Sequence, residues 1–204
     1  MRSQLRFTLV FLAACVGSMF LHEVGHAVFG WFQGIPVMPT PAKEYILQSQ
    51  VDWRQRTWIS LGGVLASALV VSGSLLWYIF KRSLSGTAIL AGCLVIPGAY
   101  TLRFLLEGRG HDATEWQEAQ TALGASPSGH SLDFLFLFLL IAGCASLAWF
   151  GDISLRWRSL LKSAGLAILG LAIMIVVQVG NNAIFDKHFP KTRTSNMPAD
   201  IKSD

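Results

Sequence analysis

The string His22-Glu23-Val24-Gly25-His26 carries the clearest chemical signal in the chain. On a helix, residues four positions apart lie on one face, so His22 and His26 can direct two imidazole nitrogens at one metal ion. Glu23 lies beside the pair but is not spaced to join it as a third ligand. Its expected role is that of a base, which takes a proton from water and returns it to a leaving amine. The string therefore predicts a metal site with hydrolytic chemistry, most simply with one zinc ion.

A catalytic zinc site takes three protein ligands and leaves a fourth position for water, so a third ligand must come from elsewhere. The segment after the third apolar stretch supplies three candidates, His111, Asp112 and Glu115. Because the first and third spans would run parallel, their C-terminal ends would emerge on the side where the histidine pair lies. Asp133, Asp152 and Asp186 have weaker claims, since boundary carboxylates are usually solvated. Spacing alone does not choose the ligand.

The composition decides which kind of element must position these residues. Of the 204 residues, 52% are hydrophobic and only 14% are charged, whereas a soluble domain has about a quarter of its residues charged. This excludes a disordered chain and argues against a soluble enzyme. The net charge of +4 lies in short basic clusters between apolar runs, a pattern typical of membrane topology and not of nucleic-acid binding. The three cysteines are far apart in apolar stretches and are interpreted as packing residues.

A spanning helix needs about 20 mostly apolar residues. The uncharged residues 7–21 are too few, but apolar character resumes after His26, so the simplest first helix contains the histidine pair. We therefore predict an all-α, polytopic membrane helix bundle that forms a single domain over residues 1–204. Its five predicted spans are residues 7–32, 57–80, 83–106, 133–151 and 161–185.

Ionisable residues inside a membrane span are costly, and three within five positions need a common partner. A bound cation is the simplest partner, and a histidine pair hydrogen-bonded across the bundle is the alternative. A cleaved leader ending at Cys15 is disfavoured, because nothing would then hold the polar residues at membrane depth.

The connecting segments are predicted from their polar and proline content. Residues 34–56 contain three prolines and an extended run, which indicates a short β-hairpin in the first loop. Residues 45–51 of that run could pair with an unwound substrate. Residues 107–131 form the loop with the third-ligand candidates, and residues 186–204 form a flexible tail.

Five spans place the termini on opposite sides, and the density of basic residues favours a cytoplasmic N-terminus.

The chain resembles the site-2 protease family of intramembrane zinc metalloproteases, in its small form without a PDZ domain. Three features across about residues 7–124 carry the resemblance. The first is the histidine string inside the first span. The second is residues 60–67, similar to the family's Gly-Pro-x-x-Asn stretch, with Val64 and Ser67 in place of the proline and the asparagine. The third is residues 110–112, which follow a proline-containing helix as the family's ligand aspartate does.

The resemblance implies His22, His26 and Asp112 as zinc ligands and Glu23 as the catalytic base. It also implies hydrolysis of peptide bonds in transmembrane protein or peptide substrates, in or near the lipid bilayer, by a multi-pass protein of the bacterial cytoplasmic membrane. Two other functions use the same residues: a non-catalytic zinc-binding membrane protein and a metal transporter. The Gly62-Gly63 pair has two interpretations, a close helix-packing surface or a substrate contact.

Overall fold

Six α-helices dominate the part of the chain that this computed structural model describes, residues 2–108, 114, 116–117, 120–121, 130–150, 157–189 and 193–195. They are α1 (Arg2–Phe32), α2 (Trp53–Lys81), α3 (Leu84–Cys93), α4 (Val95–Glu107), α5 (Ser131–Phe150) and α6 (Trp157–Phe185). Five helical segments are long and apolar enough to cross a membrane, namely Gln4–Phe32, Trp53–Lys81, Leu84–Glu107, Ser131–Trp149 and Gly165–Phe185. The predicted all-α bundle with five spans is confirmed, and the chain has the character of a multi-pass membrane protein.

The third span consists of α3 and α4, which are separated by a turn at Leu94. Pro97 lies in the first turn of α4 and has no amide hydrogen to donate to the carbonyl of Cys93, four residues earlier. The α-helical hydrogen-bond ladder is therefore interrupted at this point, and the helix restarts.

A turn at Gly34 ends α1. This turn directs the first loop back along the C-terminal end of α1. Gly34 has a φ of +73°, a left-handed conformation that favours glycine. The amide of Gly34 donates to the carbonyl of Trp31 at 3.0 Å, and the amide of Ile35 donates to the carbonyl of Gly30 at 3.0 Å. This pair of bonds is the Schellman arrangement, which satisfies the last carbonyls of the helix.

The first loop contains the predicted short hairpin. Strands β1 (Val37–Pro39) and β2 (Glu44–Ile46) pair antiparallel, with Pro39 opposite Glu44. Strand β3 (Gln50–Asp52) pairs in parallel with β4 (Arg193–Ser195). The segment predicted as a loose tail thus contributes one strand beside the start of α2.

The core is built around α1, which packs on α2 and α3 and also contacts α4 and α6. Phe11 and Cys15 of α1 are buried, and Gly92 of α3 lies against the backbone of Phe11. Few of the described side chains of α6 are buried, and large apolar residues such as Leu69 and Phe80 are exposed. Such outward apolar surface suits a hydrocarbon environment.

Candidate metal site

A row of residues on α2 faces the histidines of α1. Ile59, Gly63 and Ser67 are four positions apart, so they lie along one face of their helix. The side chain of His26 contacts the backbone of Ile59 and Gly63, and that of His22 contacts Ser67. The two helices therefore run antiparallel, with the four-residue spacing of the histidines matched to the spacing on α2. The capping box of Asp52 and Gln55 fixes the start of α2 and hence this register.

Close approach of the two helices depends on glycines. A Cβ added at Gly25 would collide with the carbonyl oxygen of Gly62, and a Cβ at Gly62 would collide with that of Gly25. A Cβ at Gly63 would overlap the imidazole ring of His26. The helix-packing interpretation of the Gly62-Gly63 pair is therefore confirmed, since larger residues would push α2 away from the site.

The hydrogen bonds of His26 determine its tautomer. Its Nδ1 lies 2.7 Å from the carbonyl oxygen of Ile59, which can only accept, so Nδ1 carries the proton and donates it. The amide nitrogen of Gly63 is farther from the same Nδ1, at 3.3 Å, and is a packing contact in this tautomer. The Nε2 atom of His26 is then left with its lone pair, as a metal ligand requires.

The ring of His22 is oriented by Ser67, whose Oγ lies 2.8 Å from Nδ1. Because a hydroxyl can donate or accept, this bond fits either tautomer of His22. The Nε2 atoms of His22 and His26 are 3.1 Å apart. Two imidazole ligands of one tetrahedral zinc ion, with Zn–N bonds of about 2.0–2.1 Å, have nitrogens about 3.3 Å apart. The separation is that of a hydrogen bond between the two rings and is close to that of two ligands sharing an ion, so it fits both interpretations of the pair.

Two carboxylates lie beside His26. One oxygen of Glu23, one oxygen of Glu44 and one ring nitrogen of His26 are all within 4.8 Å of one another. Glu23 and His26 are buried, and the side chain of Glu44 is 15% exposed. Nitrogen and oxygen donors converging in a buried space form the donor set that zinc takes in catalytic sites. The residues present thus fit a zinc ion.

Two residues near the site were missed by sequence reasoning. Glu44 is one, and Tyr100 is the other: the Tyr100 hydroxyl lies 3.4 Å from Nε2 of His22. The Tyr100 ring stacks on Phe136 of α5, with ring centroids 4.5 Å apart. The position of Glu44 near the site could have been suspected from the order of the chain, because Glu44 lies in the loop that follows the end of α1 holding His26. Tyr100 had none, because no spacing rule relates α4 to α1.

Of the four predicted site residues, the structure places His22 and Glu23 each beside His26, but among the described residues the group of possible ligand atoms is Glu23, His26 and Glu44, without His22. Asp112, its alternatives His111 and Glu115, and the weaker candidate Asp152 lie outside the described residues. Asp133 is not a solvated boundary residue as expected. It is only 2% exposed, and its Oδ2 lies 3.1 Å from Nδ1 of His130.

The hairpin that carries Glu44 is tied to the end of α6. The hydroxyl of Tyr45 donates to Oδ1 of Asp186 at 2.7 Å and accepts from the side-chain amide of Asn181 at 3.3 Å. Lys43 pairs with the same Asp186 oxygen at 3.2 Å. Burial and the bond to Asp186 raise the pKa of Tyr45 to about 12, because both favour the neutral phenol.

No protein-family profile, no curated protein and no solved structure matches the chain. The resemblance to the site-2 protease family therefore rests on the quoted residues alone.

Proposed function

We propose that the chain is a zinc metalloprotease that hydrolyses peptide bonds of membrane-protein substrates in or near the bilayer. The main support is the 3.1 Å separation between the Nε2 atoms of His22 and His26, whose Nδ1 atoms are engaged by Ser67 and Ile59. Two lone pairs at this distance repel each other unless a cation or a proton lies between them. A proton on one ring would make the contact a hydrogen bond between the histidines, whereas a divalent cation would also interact with the carboxylates of Glu23 and Glu44 beside His26.

In this mechanism the chain's own residues hold the ion and move the proton. His22 and His26 would ligate through Nε2, while Ser67 and the Ile59 carbonyl fix the orientation of the two rings. When bound, zinc supplies the Lewis acidity that polarises a carbonyl and makes water a nucleophile near neutral pH. The carboxylate of Glu23 takes the proton of the attacking water and delivers it to the leaving nitrogen.

The substrate must be extended at the site, because a helical segment hides its carbonyls in hydrogen bonds. The hairpin lies beside α1 and brings Glu44 near Glu23. A substrate segment that pairs with the run of residues 45–51 would therefore be held close to the proposed base. The proposal includes a location in the bacterial cytoplasmic membrane, as the resemblance implies.

The test compares zinc content and cleavage of a single-span substrate in liposomes for the wild type and Glu23→Gln. We expect both proteins to bind zinc, and we expect cleavage to fall by at least about 100-fold in the variant, as for loss of a general base. Glu107→Gln is the matched control, since Glu107 is exposed and pairs with Arg103 at 2.7 Å. Equal cleavage by wild type and Glu23→Gln would contradict the proposal. Zinc binding without cleavage of any of several substrates would favour a non-catalytic zinc protein.

A further inference from the structure

Glu44 is a residue of the candidate metal site that belongs to the first loop and not to a transmembrane helix. It is the first residue of β2, and the pairing of Pro39 with Glu44 fixes its place in the hairpin. One of its oxygens is within 4.8 Å of a ligand atom on both Glu23 and His26. Among the described residues His22 is not in this group, but its Nε2 atom lies 3.1 Å from that of His26. A glutamate from the loop after the first span therefore lies beside the histidine pair.

The electrostatics of the cluster favour a cation at this point. Glu23 and Glu44 place two carboxylates close together in a largely buried space, and like charges at short range repel strongly when water is excluded. Arg56 lies 3.5 Å from Oε1 of Glu44, which exceeds the 2.7–2.9 Å or so of a strong charge-assisted bond. A divalent ion beside His26 would interact favourably with both carboxylates.

We propose that Glu44 is the third protein ligand, donating a carboxylate oxygen to the ion held by His22 and His26. This inference rests on the proposed zinc site and leaves Glu23 as the base. Two histidines and one glutamate are a ligand set that catalytic zinc adopts, with the fourth position open for water. Arg56 then acts as a positioning residue, because its contact with Oε1 orients the carboxylate and leaves the other oxygen for the ion.

The site is complete only when the hairpin is docked. Tyr45 follows Glu44 directly, and its bonds to Asp186 and Asn181 hold β2 against the end of α6. The ligand set thus joins the first span, the first loop and, indirectly, the last span.

The experiment measures zinc affinity of the full chain in detergent by competition with a chromophoric chelator, together with the visible spectrum of the cobalt(II)-substituted protein. We expect Glu44→Gln to weaken zinc binding by at least about ten-fold and to alter the cobalt spectrum. Glu44→His should restore much of the affinity, because imidazole is also a zinc ligand. Glu107→Gln should match the wild type in both measurements.

Unchanged affinity and an unchanged cobalt spectrum in Glu44→Gln would overturn the inference while leaving the proposed function intact. Loss of binding in Asp112→Asn alone would assign the third ligand to Asp112 and also overturn it. Loss in both variants would support Glu44 and add Asp112 as a further ligand. If Glu44→Gln does not fold, an unshifted cobalt spectrum in Glu44→His would count against Glu44. A wild-type chain that binds no zinc would overturn the proposed function itself.

Discussion

The contact between Ser67 and His22 links a residue of α2 to the candidate metal site on α1. The Ser67 hydroxyl lies 2.8 Å from Nδ1 of His22, so it orients the ring with Nε2 toward His26. Ser67→Ala should lower zinc affinity by about 10–100-fold, as loss of an outer-shell partner does. Ser74→Ala is the control, because Ser74 is also buried in α2 but donates to the carbonyl of Val71. Competition titration of both variants checks this, and equal affinities would contradict the role of Ser67.

At the residue scale, local spacing was enough to find His22, Glu23 and His26, because a helix places positions four apart on one face. Glu44 was not found as part of the site, since its position depends on the turn at Gly34 and the register of the hairpin. These are contacts between segments that no local pattern encodes.

At the element scale, the pairing of α1 with α2 depends on backbone contact at Gly25 and Gly62. Gly62→Ala should destabilise the protein by about 1–3 kcal/mol, the usual cost of overpacking. Gly73→Ala is the matched control, because a Cβ there would meet nothing within 4 Å, and alanine is the better helix former. Unfolding by SDS in mixed micelles measures both variants. The packing argument fails if Gly62→Ala is as stable as Gly73→Ala.

The docking of the hairpin on α6 should depend on pH through Tyr45. Its pKa is raised from 10.0 to about 12 in the folded protein, so folding favours the neutral phenol. The stability that the Tyr45 contact provides is therefore fully present below pH 10 and is lost as the pH rises toward 12. The chain has three tyrosines, so the difference in tyrosinate absorbance between wild type and Tyr45→Phe isolates this one. A difference curve with its midpoint near the ordinary value would show that Tyr45 is not engaged with Asp186.

On the scale of the whole molecule, composition and uncharged stretch lengths were sufficient to predict five spans, and the prolines and extended run of the first loop predicted the hairpin. Four of the five predicted spans began later than the helices do; for example, α1 starts at Arg2 and α2 at Trp53. Charged and polar residues can continue a helix beyond its apolar part, and the capping box at Asp52 sets the true start of α2. The turn at Leu94 follows from Pro97, but the parallel pairing of β3 with β4 joins the first loop to a segment that follows the last helix. No periodicity could have indicated that pairing.

Five spans require the two termini to lie on opposite sides of the membrane. Reporter fusions at each terminus, one active only in the cytoplasm and one active only outside it, should therefore give opposite results. The basic residues near the N-terminus favour the cytoplasm for that end. Fusions that report the same side for both termini would contradict a five-span arrangement.

The most direct test of the proposed zinc site is the zinc X-ray absorption spectrum of the full chain after it has been incubated with zinc. We expect one bound ion with two imidazole nitrogens at about 2.0–2.1 Å and oxygen atoms in the remaining positions. His22→Ala and His26→Ala should each remove imidazole scattering from the spectrum. A chain that retains no zinc, or whose zinc spectrum is the same after both substitutions, would show that His22 and His26 do not bind the ion.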